Sequence, residues 1–222
     1  MSDATADRIL DVATRLVQAR GYTGFSYADI AEAVGIRKAS IHHHFPAKSD
    51  LGRALLARYR ERFLGALAEI ERSTAEPLER LRRYAALYVG VLRDDDRMCL
   101  CGMMAADLCA LEPPLRDEVR RFFDDNESWI AGVLEEGRRA RTLSFDGPSA
   151  GVAALVLACL QGAMLVARSY GDVGRFEAAA RRLLDGLVGN RAARSRGRGR
   201  PTHPPRGKAR RRGAALPRLD AR

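Results

Sequence analysis

Cysteine and histidine are scarce in this sequence, and their scarcity excludes several classes of protein. Only four cysteines occur among 222 residues, and no apolar signal segment leads the chain. Both features argue against a disulfide-stabilised secreted scaffold, so we expect reduced thiols in a cytoplasmic protein. The histidines fall at 42–44 and 203, and the sequence has no nucleophile elbow, phosphate-binding glycine loop or zinc-protease motif. We therefore expect that the protein is not an enzyme.

Long runs without charge are also rare, and the one long example spans 21 residues from Gly147 to Ala167. Its length approaches that needed to cross a membrane. Pro148 and Ser149 at its start, the polar Gln161 within it and its many alanines instead favour a helix buried in a helical assembly. We expect no membrane contact.

Positive and negative charges nearly balance over most of the chain, and the excess lies at one end. The formal net charge is +10, of which residues 191–222 contribute +11 and residues 1–190 contribute −1. The end segment is rich in Arg, Gly and Pro and lacks apolar periodicity, so we predict a disordered basic tail over 191–222. Such a tail would also suit a general nucleic-acid-binding protein.

Apolar residues recur at helical spacing along the chain, and no strand pattern or internal repeat is apparent. A first amphipathic helix is predicted over about residues 6–20, ended by Gly21. Two short helices follow, one capped by Ser26 and one stopped by Pro46, and the turn between them at Gly35 completes a helix-turn-helix pattern. Further helices are predicted over about 49–71, 77–92, 98–110, 113–139, 148–169 and 176–188.

The segment 22–51 carries the most specific pattern. It combines Ser26 at a helix start, the apolar Ile30, the turn residue Gly35, the run IHHHFP at 41–46 and Lys48. At this spacing the segment closely resembles the N-terminal DNA-binding segment of the TetR family. The resemblance implies an all-α protein. Its three-helix head with the helix-turn-helix would span 1–48, and a helical bundle for ligand binding and dimerisation would span 49–190.

The second short helix of the motif presents residues suited to reading DNA. At about 100° per residue, Ile41 and Phe45 share the face that anchors the helix, and Ser40 and His43 point the opposite way. His42 stands where the family usually has Tyr, at a phosphate-contacting position. The resemblance also implies that Lys48 contacts a backbone phosphate at the start of the fourth helix. It implies similar positioning contacts at Thr23 and Tyr27. We predict that DNA is contacted by Thr23, Tyr27, Arg37, Lys38, Ala39, Ser40, His42, His43, His44 and Lys48.

The adjacent histidines do not form a convincing metal site. Consecutive helical residues diverge by about 100°, whereas helical histidine ligands normally sit at i and i+4. Cys99 and Cys101 would diverge by about 200°, and Cys109 would share a face with Cys101 only two turns away. We expect neither a bound metal nor a cofactor.

Two C-terminal helices resemble the pair that forms the four-helix dimer interface of the family. One lies around 155–166 and the other around 176–188. Small residues at Ala158, Gly162 and Ala163 would let two helices approach closely, which suits a buried homodimer interface. The alternative is that these residues serve only the core of a single chain.

The segment 98–107, reading MCLCGMMAAD, resembles a Cys-Leu-x-Gly helix of one TetR subgroup in which some members sense electrophiles through cysteine. Three interpretations of Cys99 and Cys101 stay open, namely small core residues, a redox or electrophile sensor, and a metal sensor. Cys159, in the uncharged helix, should be inert. Adaptable Met and aromatic side chains favour a pocket for an apolar effector. The predicted pocket or sensor comprises Cys99, Cys101, Met103, Met104, Phe123, Trp129 and Met164.

These features predict a transcriptional repressor of the TetR type. Its expected partners are a double-stranded DNA operator with an inverted repeat, a second copy of the chain, and a small-molecule or electrophilic effector that releases the DNA. Two alternatives stay open, a general nucleic-acid-binding protein driven by the basic tail and an activator with the same head. Salt dependence separates the first alternative, because tail-driven binding is steeply sensitive to salt.

Overall fold

The computed structural model describes residues 4–94 and 97–188, and over these ranges the chain is helical and contains no strand. The predicted all-α class is therefore confirmed. A single 3-10 turn at Leu108–Ala110 interrupts the helices. The nine α helices of the described ranges are α1 Ala4–Arg20, α2 Tyr27–Val34, α3 Lys38–His44, α4 Lys48–Ser73, α5 Pro77–Arg93, α6 Leu100–Ala106, α7 Pro113–Arg139, α8 Ser149–Ser169 and α9 Val173–Asp185.

Local sequence signals account for the three head helices. Gly21 ends α1 with a left-handed φ of +83°. Ser26 and Asp29 form a reciprocal capping box at the start of α2, with Asp in place of the commoner Glu. Gly35 ends α2 with a φ of +74°, which places the N–H of Ile36 on the carbonyl of Ala31. The predicted helix-turn-helix is confirmed.

The fourth helix joins the head to the rest of the chain. Its first turns bury Leu51 and Leu55 against the head, and the Tyr22 hydroxyl donates to the carbonyl of Lys48. Its later turns bury Phe63 and Leu67 in the body, where α4 packs on α5 and α7. The described residues form one compact unit, and the boundary at 48–49 stays a prediction. The predicted tail at 191–222 lies outside the described residues.

The body consists of α5 to α9 packed around the later turns of α4. The helix pairs α8–α9, α7–α8 and α5–α9 are its principal contacts, and α6 also touches α1 of the head. Aromatic rings fill the centre, with the ring of Phe63 lying 5.1 Å from that of Phe122 and 6.1 Å from that of Tyr84. The buried residues of the body and of the head belong to one continuous hydrophobic core.

Two helices differ most from their predicted bounds. The segment predicted as a helix over 98–110 begins its helix only at Leu100 and is interrupted at Asp107, before the 3-10 turn. Met98 precedes the helix, and its N–H donates to the carbonyl of Gln18 in α1. The last helix begins at Val173 instead of Phe176, since the Asp172 carboxylate caps it by accepting from the N–H of Gly174.

Candidate nucleic-acid interface and sensing region

The third helix is anchored on one face and open on the other. Ile41 is completely buried and Phe45 nearly so, as their shared face predicted. On the opposite side, Ala39 and His43 are exposed and Ser40 is half-buried. Arg37, at the N-cap of α3, and Lys38 are also exposed. We call the outward surface of α3 the recognition face; it comprises Arg37, Lys38, Ala39, Ser40, His42 and His43.

His42 makes two contacts at the edge of the recognition face. Its Nδ1 lies 3.2 Å from the carbonyl oxygen of Pro46, and its ring centroid lies 4.8 Å from that of Tyr27. A carbonyl only accepts, so Nδ1 must carry a proton to make this bond. In a neutral imidazole Nε2 is then an acceptor, and His42 can donate from Nε2 only as the imidazolium.

Tyr27 lies in the core of the head, and its predicted role as a phosphate contact stays a prediction. Its side chain is nearly buried, and its hydroxyl lies 2.8 Å from the carbonyls of both Phe45 and Ala47. Burial, with a smaller contribution from the carboxylate of Asp50, raises the pKa of Tyr27 to about 12. The neutral phenol thus ties the end of α3 to the start of α4, and its proton is not available to DNA in this arrangement.

Lys48 and Thr23 occupy the rim of the head beside the body. The Lys48 ammonium donates to the carbonyl of Phe25 and lies 4.1 Å from the centroid of the Phe25 ring. Desolvation lowers the pKa of Lys48, while the carboxylates of Asp107 and Asp29 raise it. The N–H and the hydroxyl of Thr23 both donate to Oδ2 of Asp107, at 3.1 Å and 3.2 Å. His44 is half-buried at the end of α3, with its ring 5.4 Å from that of His43.

The eighth helix has two unlike faces. Its inner face packs into the body through Val156, Leu160 and Met164. Its outer face is exposed and uncharged, and a β-carbon built at Gly162 meets no atom within 4 Å. Ala158 and Gly162 lie on this outer face, and Ala163 is half-buried beside it. We call the outer face the α8 stripe; it comprises Gly151, Leu155, Ala158, Cys159, Gly162, Leu165, Val166 and Ser169.

By length and composition alone, α8 is the one helix of the described residues that could cross a membrane. A third of its most apolar window is buried within the protein. The buried part is the inner face that contacts α7 and α9. A core helix of a helical bundle has the same composition, so this feature is weak evidence for a membrane.

The four cysteines divide into two buried and two exposed. Cys99 and Cys101 have no exposed surface, and burial raises the pKa of both thiols. Cys99 caps α6 instead of lying within it, so the helical angle that we predicted between it and Cys101 does not apply. The Tyr59 hydroxyl lies 3.7 Å from Sγ of Cys99. Cys109 and Cys159 are exposed in the single chain.

The remaining predicted pocket residues lie in two parts of the body. Met104 and Met164 are buried, and Sδ of Met103 lies 3.6 Å from the guanidinium of Arg168, near the head. Trp129 lies in another part of the body, where its ring stacks on that of Tyr84 and its N–H donates to a carboxylate of α4. The ring of Phe123 packs beside that of Phe122 on α7. The structure therefore does not gather the predicted set into one site.

Sequence reasoning missed a buried polar network in the body. The Tyr84 hydroxyl lies 2.8 Å from both the hydroxyl of Tyr88 and Oδ1 of Asn126. The Asn126 amide donates to a backbone carbonyl of α7, and Nε2 of Gln161 lies 3.4 Å from the Tyr88 hydroxyl. Burial raises the pKa of both phenols, which stay neutral. An available signal was Asn126 itself, since it stands four residues from both Phe122 and Ile130 on the apolar face of α7.

No group of three or more His, Cys, Asp or Glu side chains is arranged to hold a metal ion in the part of the chain that the structure describes.

Family models match both parts of the chain. The model of bacterial regulatory proteins of the tetR family matches residues 9–55, and the model of a tetracyclin repressor-like C-terminal domain matches residues 77–183. Among curated relatives, the HTH-type transcriptional repressor DhaR of Mycobacterium sp. (strain GP1) is 26% identical, with 71% of this chain and 79% of the relative covered. The repressor NemR of Escherichia coli (strain K12) is 24% identical, with 74% and 84% covered.

Solved structures match over nearly the whole described range. A TetR-family transcriptional regulator from Agrobacterium tumefaciens is 39% identical with a TM-score of 0.81, and the match covers 84% of this chain and 98% of that one. The reduced form of E. coli NemR shares the fold, with a TM-score of 0.71, 23% identity and coverage of 83% and 97%. With its helix-turn-helix head and its helical C-terminal domain, the chain belongs to the TetR family of bacterial transcriptional regulators.

Proposed function

We propose that the protein is a transcriptional repressor that binds an inverted-repeat operator as a homodimer and leaves it when a small molecule binds the body. The recognition face carries this proposal, because its short polar and imidazole groups stand outward on a helix that Ile41 and Phe45 fix to the head. Relatives named as transcriptional repressors, DhaR and NemR, support the direction of regulation.

The proposed contacts divide between bases and backbone. Ala39, Ser40 and His43 face away from the head core, so we assign them to base edges in the major groove. Arg37 and Lys38 begin the same helix and reach either bases or phosphates. His42, His44, Lys48 and Thr23 lie around the recognition helix, where they would fix its register on the backbone.

The proposed dimer forms through the α8 stripe together with α9. The stripe exposes Leu155, Leu165 and Val166 without a single charged group, which is the composition of an interface core. Ala158 and Gly162 between them let a second α8 approach closely. A symmetric dimer would then present two recognition faces to half-sites about 34–36 Å apart, one turn of DNA.

The proposed effector is a small apolar or electrophilic molecule. It would act by binding more tightly to body conformations whose heads do not match the half-site spacing. Because burial holds Cys99 and Cys101 as thiols, chemistry at either sulfur would first require the body to open around α6. A reversible ligand inside the body needs no thiolate, and it is the form of effector that we favour.

Selection from a pool of random duplexes tests the proposed function and identifies the operator in the same experiment. The full-length protein should enrich one sequence with two inverted half-sites, centred about 10 base pairs apart. Footprinting should then protect both half-sites, and addition of this protein should lower transcription from a promoter that overlaps them. If no sequence is enriched, and binding depends on the salt concentration but not on the DNA sequence, the proposal is contradicted. That result would favour binding driven by the basic tail.

A further inference from the structure

Two groups of the body hold the C-terminal end of α1 in the head, and a third contacts the loop that follows α1. The N–H of Met98 donates to the carbonyl of Gln18 at 3.1 Å, and the Arg168 guanidinium of α8 donates to the carbonyl of Ala19. These carbonyls belong to the last turn of α1, where helix geometry leaves them without intrahelical partners. The third group is the carboxylate of Asp107, which accepts hydrogen bonds where the other two groups donate them.

Asp107 lies at the C-terminal end of α6 and reaches the loop between α1 and α2. Its Oδ2 accepts both the N–H and the hydroxyl of Thr23. A β-carbon built at Gly21 would lie 2.7 Å from the same oxygen, so a larger residue there would displace the carboxylate. The carboxylate of Asp107 is also close enough to Lys48 to raise the pKa of the ammonium. Desolvation lowers the same pKa by a larger amount.

We propose that Asp107 is an autoinhibitory group that occupies the place of a DNA phosphate on the head. The inference rests on the proposed function, which assigns Thr23 and Lys48 to the operator backbone. A carboxylate and a phosphate are both anionic acceptors that seek the same N–H, hydroxyl and ammonium donors. Because the two anions repel each other, a phosphate reaches Thr23 only after Asp107 has moved away.

This contact gives the body a direct influence on DNA affinity. Asp107 ends α6, and the other end of that short helix begins at the buried Cys99 and Leu100. A movement of α6 toward the head keeps the carboxylate on Thr23, and a movement away frees the donors. An effector that favours the first position lowers operator affinity without touching the recognition face.

The test compares two substitutions that each remove one negative charge from the same side of the molecule. Asp107→Asn removes the negative charge that faces Thr23. Glu112→Gln is the control, and it removes a charge that acts on Tyr22 in the same loop, where it raises the pKa of the phenol less than burial does. Using the operator duplex obtained by selection, Asp107→Asn should bind about tenfold more tightly than the parent, the scale of a charged hydrogen bond. Glu112→Gln should change affinity by about twofold or less. Equal gains from both variants would overturn the proposal, because they would reflect only general charge.

A double-mutant cycle with Thr23→Val provides a second measurement. The gain from Asp107→Asn should shrink in the Thr23→Val background, since one of the two contested donors is already missing. An undiminished gain would show that Asp107 acts elsewhere and would overturn the proposal. Thermal unfolding of each variant identifies any loss of fold. A parent protein that selects no operator contradicts the proposed function, whereas a parent that binds and an Asp107→Asn variant that binds no better contradict this inference alone.

Discussion

The recognition face and the α8 stripe are both exposed in the single chain, yet their chemistry is opposite. Each lies on a helix whose inner side is buried, through Ile41 in α3 and through Val156 and Leu160 in α8. The recognition face carries cations, a hydroxyl and imidazoles, all of which water can solvate. The α8 stripe is uncharged and includes Leu155, which is more than half exposed.

This difference indicates how permanent each partnership is. A polar face loses little when it returns to water, so DNA can bind and leave. An apolar face loses about 25 cal/mol for each square ångström that it exposes, which favours a partner that stays. We therefore expect an obligate protein partner on α8 and an exchangeable nucleic-acid partner on α3.

The largest expected effect comes from placing a charge on the α8 stripe. Gly162→Arg adds a long cation where the single chain has open space, so the monomer should fold normally while the dimer dissociates. Operator affinity should then fall by about 10² to 10⁴, because the two half-sites would be bound independently. Sedimentation and operator titration measure the two outcomes.

The matched control is Gly65→Arg on α4, where a β-carbon also meets no atom within 4 Å. This variant should remain dimeric and bind the operator like the parent. Should Gly162→Arg sediment as an unchanged dimer, the α8 stripe would not be the interface.

Substitutions on the recognition face should have a smaller effect that depends on the DNA sequence. Ser40→Ala or His43→Ala should cost about 1–3 kcal/mol on the operator and relax base preference at one position of each half-site. Because these changes leave the α8 stripe intact, the variants should stay dimeric. Titration with operator and with an unrelated duplex measures the difference. Equal losses on both duplexes would reassign the residue to the backbone.

The labelling rates of two exposed cysteines test whether the α8 stripe is covered in the dimer. Cys159 lies on the α8 stripe, and Cys109 is exposed on the 3-10 turn at Leu108–Ala110. In the dimer a maleimide should label Cys109 about tenfold faster than Cys159, since covered thiols react slowly. In Gly162→Arg the two rates should converge. Mass spectrometry of the labelled peptides checks this, and rapid labelling of Cys159 in the parent would contradict a covered stripe.

The smallest expected effect concerns the phosphate contact assigned to His42. Because its Nδ1 proton is donated to the Pro46 carbonyl, the neutral ring has no proton left for a phosphate. His42→Tyr supplies a phenol donor, so this variant should bind the operator and an unrelated duplex a few-fold more tightly, and by similar factors. Titration with both duplexes measures the gain. Unchanged affinity on both would contradict a backbone contact at position 42.

The head was predictable because its signals are local. Ser26 with Asp29, Gly35 and the spacing of Ile41 from Phe45 each act within a few residues, and the structure reproduces all three. The late start of α6 was not predictable from local signals, since the N–H of Met98 just before it donates to a residue 80 positions earlier in the chain.

Side-chain roles were harder to predict than helices. Tyr27 shares its position with DNA-contacting residues of the family, yet its hydroxyl is engaged by Phe45 and Ala47, which only the closed head brings near. The predicted sensor residues lie in two parts of the body, because Met and aromatic residues at helical spacing indicate burial without indicating which neighbour they meet.

The bond from Arg168 to the carbonyl of Ala19 would couple the angle of α8 in the proposed dimer to the position of the head. It attaches the head to the last turn of α8, the helix that would cross its partner's copy at the interface. With 21 residues α8 is about 30 Å long, so each degree of rotation about one end displaces the other by about half an ångström. Substitutions that alter the crossing angle of α8 would therefore shift the preferred half-site spacing while the base preference of α3 stays the same.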